Sequence, residues 1–272
     1  MQRLLTELPR TIRDDPSSLA MQRKLGDIAR SLHDAVSLPA AESALDQARD
    51  AMGIRWSCWN GDITSPQTSQ ESIRYSIDRG WPIDVLDFWQ DHYEPLRVPV
   101  YIRSRFEHFP FVATFERVKK SRYLSTDARL IELLRRMDAD NMLIVPVHLP
   151  KGQIGMIGWL GNISRDILES MARAASMELM AIGNNFMRIY RNASGYDSAA
   201  DEELSRLTPR EWDCVRILAQ GYREPDAAVV LGLTKSTVRF HLNNVVRKFG
   251  CKNRTQAIAL AAQLGLLGPI GP

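Results

Sequence analysis

Five side chains near the carboxyl end, Ser236, Arg239, Phe240, Asn243 and Arg247, fall on one side of a 3.6-residue wheel. Val238, Leu242, Val245 and Phe249 fall within a narrow stripe on the other. One face therefore offers groups that donate, accept or carry positive charge, and the opposite face offers only hydrocarbon. Cations satisfy phosphates, and side chains that donate and accept satisfy base edges. A helix built this way meets what entry into a major groove demands.

The elements that must hold such a helix are written into the preceding residues. Thr208 can accept from the first free backbone amides, Pro209 has no amide to leave unsatisfied, and Glu211 stands where a capping box needs it. The spacing predicts a first helix over 209–219, stopped by Gly221. A second starts at Pro225, carries Ala227, Ala228 and Leu231 inward, and ends at Gly232. After the Gly232-Leu233 turn, Thr234 caps the polar and apolar helix described above. A fourth, Ala-rich helix over 254–264 is capped by Asn253.

These runs resemble the LuxR-type helix-turn-helix. The resemblance rests on LTPRE at 207–211, GY at 221–222, LGLTKSTVRFHLNNVVRKFG at 231–250 and NRTQA at 253–257, and it covers about the last sixty residues. It implies that Lys235, Arg239, Phe240 and Asn243 face the groove, with Arg239 making a bidentate contact to guanine. Lys248, Lys252 and Arg254 would meet phosphates, and the fourth helix would dimerise. The expected complex is a homodimer on a palindromic site in double-stranded DNA, with half-sites about one helical turn apart.

Charge is partitioned accordingly. Residues 207–272 hold nine Lys and Arg against four acids, a net of +5, whereas the whole chain carries +3. Residues 1–206 therefore carry −2, and the positive field is local to the proposed reader. A chain of 272 residues accommodates two domains. The expected division is a sensory and dimerisation domain over 1–190, a linker over 191–206 rich in small and acidic residues, and the DNA-binding domain over 207–272. Cys58, Cys214 and Cys251 are odd in number and lack CxxC or Cys/His spacing, so neither a disulfide frame nor a metal site is expected. No apolar run is long enough to span a bilayer and no cleavable leader is evident, which points to a cytoplasmic protein without membrane association.

Upstream, residues 17–36 and 40–52 read as helices and 54–60 as a strand. A helix is expected from Pro82 to about Tyr93 and another over 126–137. Residues 142–149 and 154–161 form a hairpin around the turn PKGQ, and one long helix over 164–190 follows. The fold class is α+β: an α/β/α sandwich with an antiparallel sheet of the GAF or PAS kind, followed by an all-α four-helix domain. Helices 17–36 and 164–190 are candidate dimer surfaces.

That element order resembles the autoinducer-binding domain of quorum-sensing LuxR proteins. The family pattern YPxxWxxxY, followed by DP, lies on WPIDVLDFW at 81–89 and on Val98-Pro99. In this register Trp81 and Trp89 keep aromatic character. Val85 replaces the tryptophan that donates to a lactone carbonyl, and Val98 replaces the aspartate that accepts from the acyl amide. Ala113 replaces another pocket tryptophan, and Gly158 stands where a hydroxyl residue often assists. Each buried polar group of a lactone left unpartnered costs about 1–3 kcal/mol, so standard acyl-homoserine lactones are not the expected ligand. The expectation is instead a more apolar or bulkier small molecule, bound near Trp56, Trp81, Val85, Trp89, Val98, Ala113 and Gly158. The other outcome is a cavity filled by the protein's own aromatics, among them Trp59 and Trp159.

Enzymatic readings find no support. His33, His92, His108, His148 and His241 are scattered, and there is no HExxH pair, GxSxG elbow or phosphate-cradling glycine loop. Asp84, Asp87 and Asp91 share a helix face at the spacing of a solvated flank. No cofactor is expected. The competing non-enzymatic reading is an antagonist that heterodimerises with a related regulator and blocks it.

Overall fold

The computed structural model describes residues 16–65, 68–90, 98–115, 128–195 and 207–267. It separates into two compact units that meet in sequence at Ser194 and Gly195, with the short turn at 149–152 counted apart from the first. Each unit is described by itself.

The first unit opens with α1 (Pro16–Asp34) and α2 (Leu38–Met52). Met21, Leu25, Ile28, Ala29 and Leu32 recur at helical spacing and are buried, giving α1 one apolar stripe. In α2, Gly53 takes a left-handed φ of 65° and closes the helix end. Strand β1 (Trp56–Asn60) follows, then α3 (Gln70–Asp78), α4 (Ile83–Gln90), α5 (Pro99–Ser104), β2 (Phe111–Thr114) and α6 (Ala128–Arg136). Strands β3 (Asn141–His148) and β4 (Ile154–Gly161) form the hairpin, and α7 (Arg165–Ala174) and α8 (Ser176–Ala193) complete the unit.

The four strands lie in the order β1-β4-β3-β2, and every pair is antiparallel. Both central strands are buried along nearly their whole length, because helices cover both faces of the sheet. On one face, Met142, Ile144, Met156, Leu160 and Phe111 meet Val85, Leu86 and Phe88 of α4, Val100 and Tyr101 of α5, and Leu130, Leu133 and Leu134 of α6. On the other, Trp59 packs edge-on against Phe186 and Tyr190 of α8, with ring centroids 5.1 and 4.9 Å apart. Gly183 lets α8 come this close, since a Cβ there would lie 2.9 Å from Val145 Cγ1.

A polar knot ties α2, β1 and α3 together. The Asp46 carboxylate accepts from Arg79 Nε at 2.8 Å, Tyr75 Oη at 3.1 Å and Ser57 Oγ at 3.2 Å. Burial opposes its charge, but the hydrogen bond and charge of Arg79 outweigh that and hold the carboxyl below its ordinary value.

Three expectations change here. The single helix predicted over 164–190 is two helices, broken at Ala175 with φ −114° and ψ 28°. The cause is tertiary: α7 packs on β2 and β3, whereas α8 lies along α1, α2, β3 and β4, and no proline or glycine marks the change. Helices α3 and α5 and strand β2 fall in stretches without a predicted element. Of the scattered histidines, His108 and His148 come together, their rings 4.3 Å apart. Residues 91–93, at the end of the helix predicted from Pro82, lie outside the described residues, as do residues 196–206 of the predicted linker and His92. Among the described residues, no helix is long and apolar enough to cross a membrane.

The second unit holds α9 (Pro209–Ala219), α10 (Glu224–Leu231), α11 (Lys235–Lys248) and α12 (Arg254–Gln263) around one small core. Cys214, Val215, Ala227, Ala228, Val238, Leu242, Val245, Ala257 and Ala261 are its buried centre. Small residues on α10 and α12 let the short helices converge closely, and Phe249 and Leu207 complete the cluster. The α10 to α11 turn uses Gly232 at φ 63°, a conformation an L side chain would strain.

Candidate nucleic-acid interface and ligand cavity

The first turn of α9 forms the reciprocal cap that its sequence predicts. Thr208 Oγ1 accepts from the Glu211 N–H at 3.3 Å, and the Glu211 carboxylate accepts from the Thr208 N–H at 2.8 Å. Glu211 is nevertheless only 3% exposed, and its second partner comes from the far end of α11: Lys248 Nζ donates to it at 2.6 Å. Burial would raise the carboxyl, but Lys248 and Thr208 together hold it below its ordinary value. The partly exposed side chain of Lys248 thus ties the end of α11 to the first turn of α9.

Helix α11 starts at Thr234, whose Oγ1 accepts from the Thr237 N–H at 3.2 Å and exchanges a 2.8 Å hydrogen bond with Ser236 Oγ. Val238, Leu242 and Val245 are buried, while Lys235, Ser236, Arg239, Phe240, Asn243 and Arg247 are exposed. Phe240 is 61% exposed, a large cost in water unless a partner covers it. Arg247 Nη2 donates to Asn244 Oδ1 at 3.1 Å. Arg239 Nε donates to Glu224 at 3.3 Å, and Arg254 pairs with the same carboxylate. Lys252 is exposed in the turn before α12, where Asn253 Oδ1 accepts from the Gln256 N–H at 2.9 Å. The groups expected to read bases thus share one solvent-facing side of one helix. The pairing of Glu224 with Arg239 and of Glu211 with Lys248 is not announced by the sequence. The i to i+3 spacing marked Glu211 only as a cap, and nothing local marks Glu224.

The first unit encloses a cavity bordered by Trp81, Trp89, Tyr101, Ser72, Met142 and Leu134 among others. About 50 Å³ is open to the centres of water-sized molecules, room for roughly four waters at about 10–15 Å³ each. Trp89 and Tyr101 stack with centroids 5.5 Å apart, and Tyr101 Oη accepts from Asn60 Nδ2 at 3.1 Å. Burial pushes the Tyr101 phenol up and the Cys58 thiol up to about 12, so both are neutral in this wall. No charged side chain borders the cavity among the described residues. The Trp81 indole N–H is buried with no hydrogen-bond partner.

Of the seven residues expected to touch a ligand, Trp81 and Trp89 border the cavity. The other five do not border it. Trp56 spends its Nε1 on Met137 O at 2.9 Å, Val85 and Val98 are buried in the core, and Ala113 pairs across strands with Met142. A side chain at Gly158 would have to displace the flexible end of Met142, since a Cβ there would lie 1.9 Å from Met142 Cε and 3.1 Å from Cys58 Sγ. Trp59 also borders the cavity, although its ring packs on Phe186 and Tyr190 across the sheet, and its buried N–H has no partner; Trp159 Nε1 donates to Leu45 O at 3.2 Å. Asp84 pairs with Arg136, in keeping with a solvated flank, and Asp91 lies outside the described residues. Among the described residues, no group of three or more His, Cys, Asp or Glu could hold a metal ion.

Residues 205–261 match the family model described as bacterial regulatory proteins, luxR family. The chain is 26% identical over 151 residues to the transcriptional activator protein ExpR of Dickeya dadantii, covering 53% of this chain and 60% of that one. It is 25% identical over 227 residues to the transcriptional activator protein YukR of Yersinia ruckeri, covering 74% and 96%. The match to ExpR therefore spans less than two thirds of that protein. The fold is similar to that of Escherichia coli SdiA, with a TM-score of 0.55 at 16% identity over 92% of this chain and 99% of that one. SdiA has also been solved in complex with octanoyl-rac-glycerol, and that structure gives the same TM-score at 14% identity over 93% and 98%.

Proposed function

We propose, from the LuxR-type helix-turn-helix domain at residues 205–261, that this chain is a DNA-binding transcriptional regulator acting in the cytoplasm without enzymatic activity. Residues 207–272 bind DNA, residues 191–206 link, and residues 1–190 sense and dimerise. The observation that carries the reading is α11 itself. It buries Val238, Leu242 and Val245 and turns Lys235, Ser236, Arg239, Phe240, Asn243 and Arg247 to solvent. Arg239 and Asn243 address base edges, and Arg247, Lys248, Lys252 and Arg254 address phosphates. A homodimer would place two such helices in successive major grooves of a palindromic site.

A gel-shift titration of the full chain with an enriched duplex tests this, comparing wild type with Arg239→Ala. The expected loss is about 1–3 kcal/mol, concentrated at one base position. Indifference to the substitution would favour the antagonist that pairs with a related regulator.

The cavity supports a ligand that is neutral and small and carries an oxygen acceptor for the Trp81 N–H. An amide-bearing lactone would find no carboxylate among the described lining residues. Octanoyl glycerol, the molecule bound in the SdiA complex, is the first probe, with N-octanoyl homoserine lactone beside it. A stabilisation of about 2.7 kcal/mol at a hundredfold excess over Kd by the glyceride alone supports the reading. Equal stabilisation by the lactone contradicts it. The small volume favours a second reading, a core closed by its own aromatics, and that reading predicts no shift with either molecule.

A further inference from the structure

Glu224 opens α10 and directs its carboxylate at two cations, Arg239 of α11 and Arg254 of α12. One oxygen accepts from Arg239 Nε at 3.3 Å, and the other contacts the Arg254 guanidinium. Its side chain is 13% exposed while that of Arg239 is 55% exposed. Two of the other acids of this domain are spent elsewhere, Glu211 on Lys248 and Asp213 on Arg210.

We propose that Glu224 is a positioning residue for sequence reading: it orients Arg239 toward a base and discourages it from settling on a phosphate. The inference rests on the DNA-reading proposal above. An arginine recognises guanine by aiming two N–H groups at O6 and N7. A carboxylate on Nε leaves both terminal amino groups free to do so. An untethered, exposed guanidinium would also bind phosphate oxygens, which adds affinity without sequence information. Glu224 acts against this in two ways. It restrains the stem of Arg239, and it sets a negative charge beside the path by which a phosphate would approach. Arg254, on the second carboxylate oxygen, keeps Glu224 from swinging away with its partner.

The test uses the full chain and a pool of duplexes randomised over about two half-sites one helical turn apart, sequenced after selection. Wild type, Glu224→Gln, Glu224→Asp, Arg239→Ala and the Glu224→Gln/Arg239→Ala double variant are compared, each with its thermal melt. Glu224→Gln is expected to lose roughly threefold or more of the preference at the base that Arg239 contacts. Its nonspecific affinity rises, and its salt dependence steepens by about one phosphate contact. Glu224→Asp keeps the charge but withdraws the carboxylate by one methylene, so it loses the same preference without the gain in nonspecific affinity. In the Arg239→Ala background, Glu224→Gln changes no base preference. A lowered melt with the preference intact would make Glu224 a structural staple and overturn the proposal, as would an equal loss of preference in both backgrounds. If wild type enriches no sequence, the DNA-reading proposal falls and takes this one with it. Enrichment that Glu224→Gln leaves unchanged sinks this one alone.

Discussion

The two units differ in where a buried donor is left unmet. Among the described residues of the second unit, the buried acid Glu211 accepts from a backbone amide and an ammonium. In the first, Asp46 gathers three donors, yet the indole N–H groups of Trp59 and Trp81 are buried without a partner. A well-closed polar core costs nothing further, whereas each unmet donor carries a penalty that an acceptor from outside would relieve. Under the proposed function, a ligand in the cavity supplies that acceptor to Trp81.

The largest effect that would sharpen the contrast is expected on the far face of the sheet. Trp59→Ala removes a side chain packed on Phe186 and Tyr190, and about 3–5 kcal/mol of stability should be lost in urea unfolding. A loss below about 1 kcal/mol would mean that this face is not the core it resembles.

Glu211→Gln comes next. At neutral pH it should cost about 1–3 kcal/mol, since Lys248 loses a charged partner. The carboxyl is held below its ordinary value, so its contribution is complete at neutral pH and fades as pH falls through the carboxylate range. The difference between wild type and variant should therefore shrink on acidification. A gap that stayed constant with pH would show that Glu211 is not ionised in the fold.

Trp81→Phe probes the other side of the comparison. Without ligand, the gain from deleting an unpartnered N–H is set against the packing lost with the smaller ring, so the net change should stay within about 1–2 kcal/mol. With octanoyl glycerol, the thermal shift should drop. A shift that the substitution leaves intact would show that the indole N–H does not meet the ligand.

The smallest expected effect is in the reader. Thr234→Ala removes the cap of α11 and should cost about 0.5–1 kcal/mol, seen as a lower urea midpoint at unchanged slope. A change of slope would instead signal partial unfolding of the four-helix unit.

How far each unit could be read from sequence follows the same divide. Helices α9 to α12 were legible because each carries its own start and stop: Thr208, Thr234 and Asn253 as caps, Gly221 and Gly232 as ends. The β3–β4 hairpin was legible because both strands are unbroken apolar runs around PKGQ. Strand β2 has only four residues and takes its identity from pairing with β3, which no local pattern announces. Ala175 breaks a helix for reasons that lie in the sheet. The family register placed Trp81 and Trp89 at the cavity, but it could not show that Trp56 is engaged by Met137 or that the end of Met142 lies over Gly158. The same limit hid Glu224, whose importance depends on two arginines 15 and 30 positions away.

The Glu211 carboxylate closes a ring of chain from the threshold of the domain to the last turn of its reading helix, 37 positions apart. Fraying at one end therefore cannot proceed independently of the other. Amide protons around Thr208 and around Lys248 should exchange through one shared opening. Any pull on the segment entering at Thr208 would then be felt at the far tip of α11.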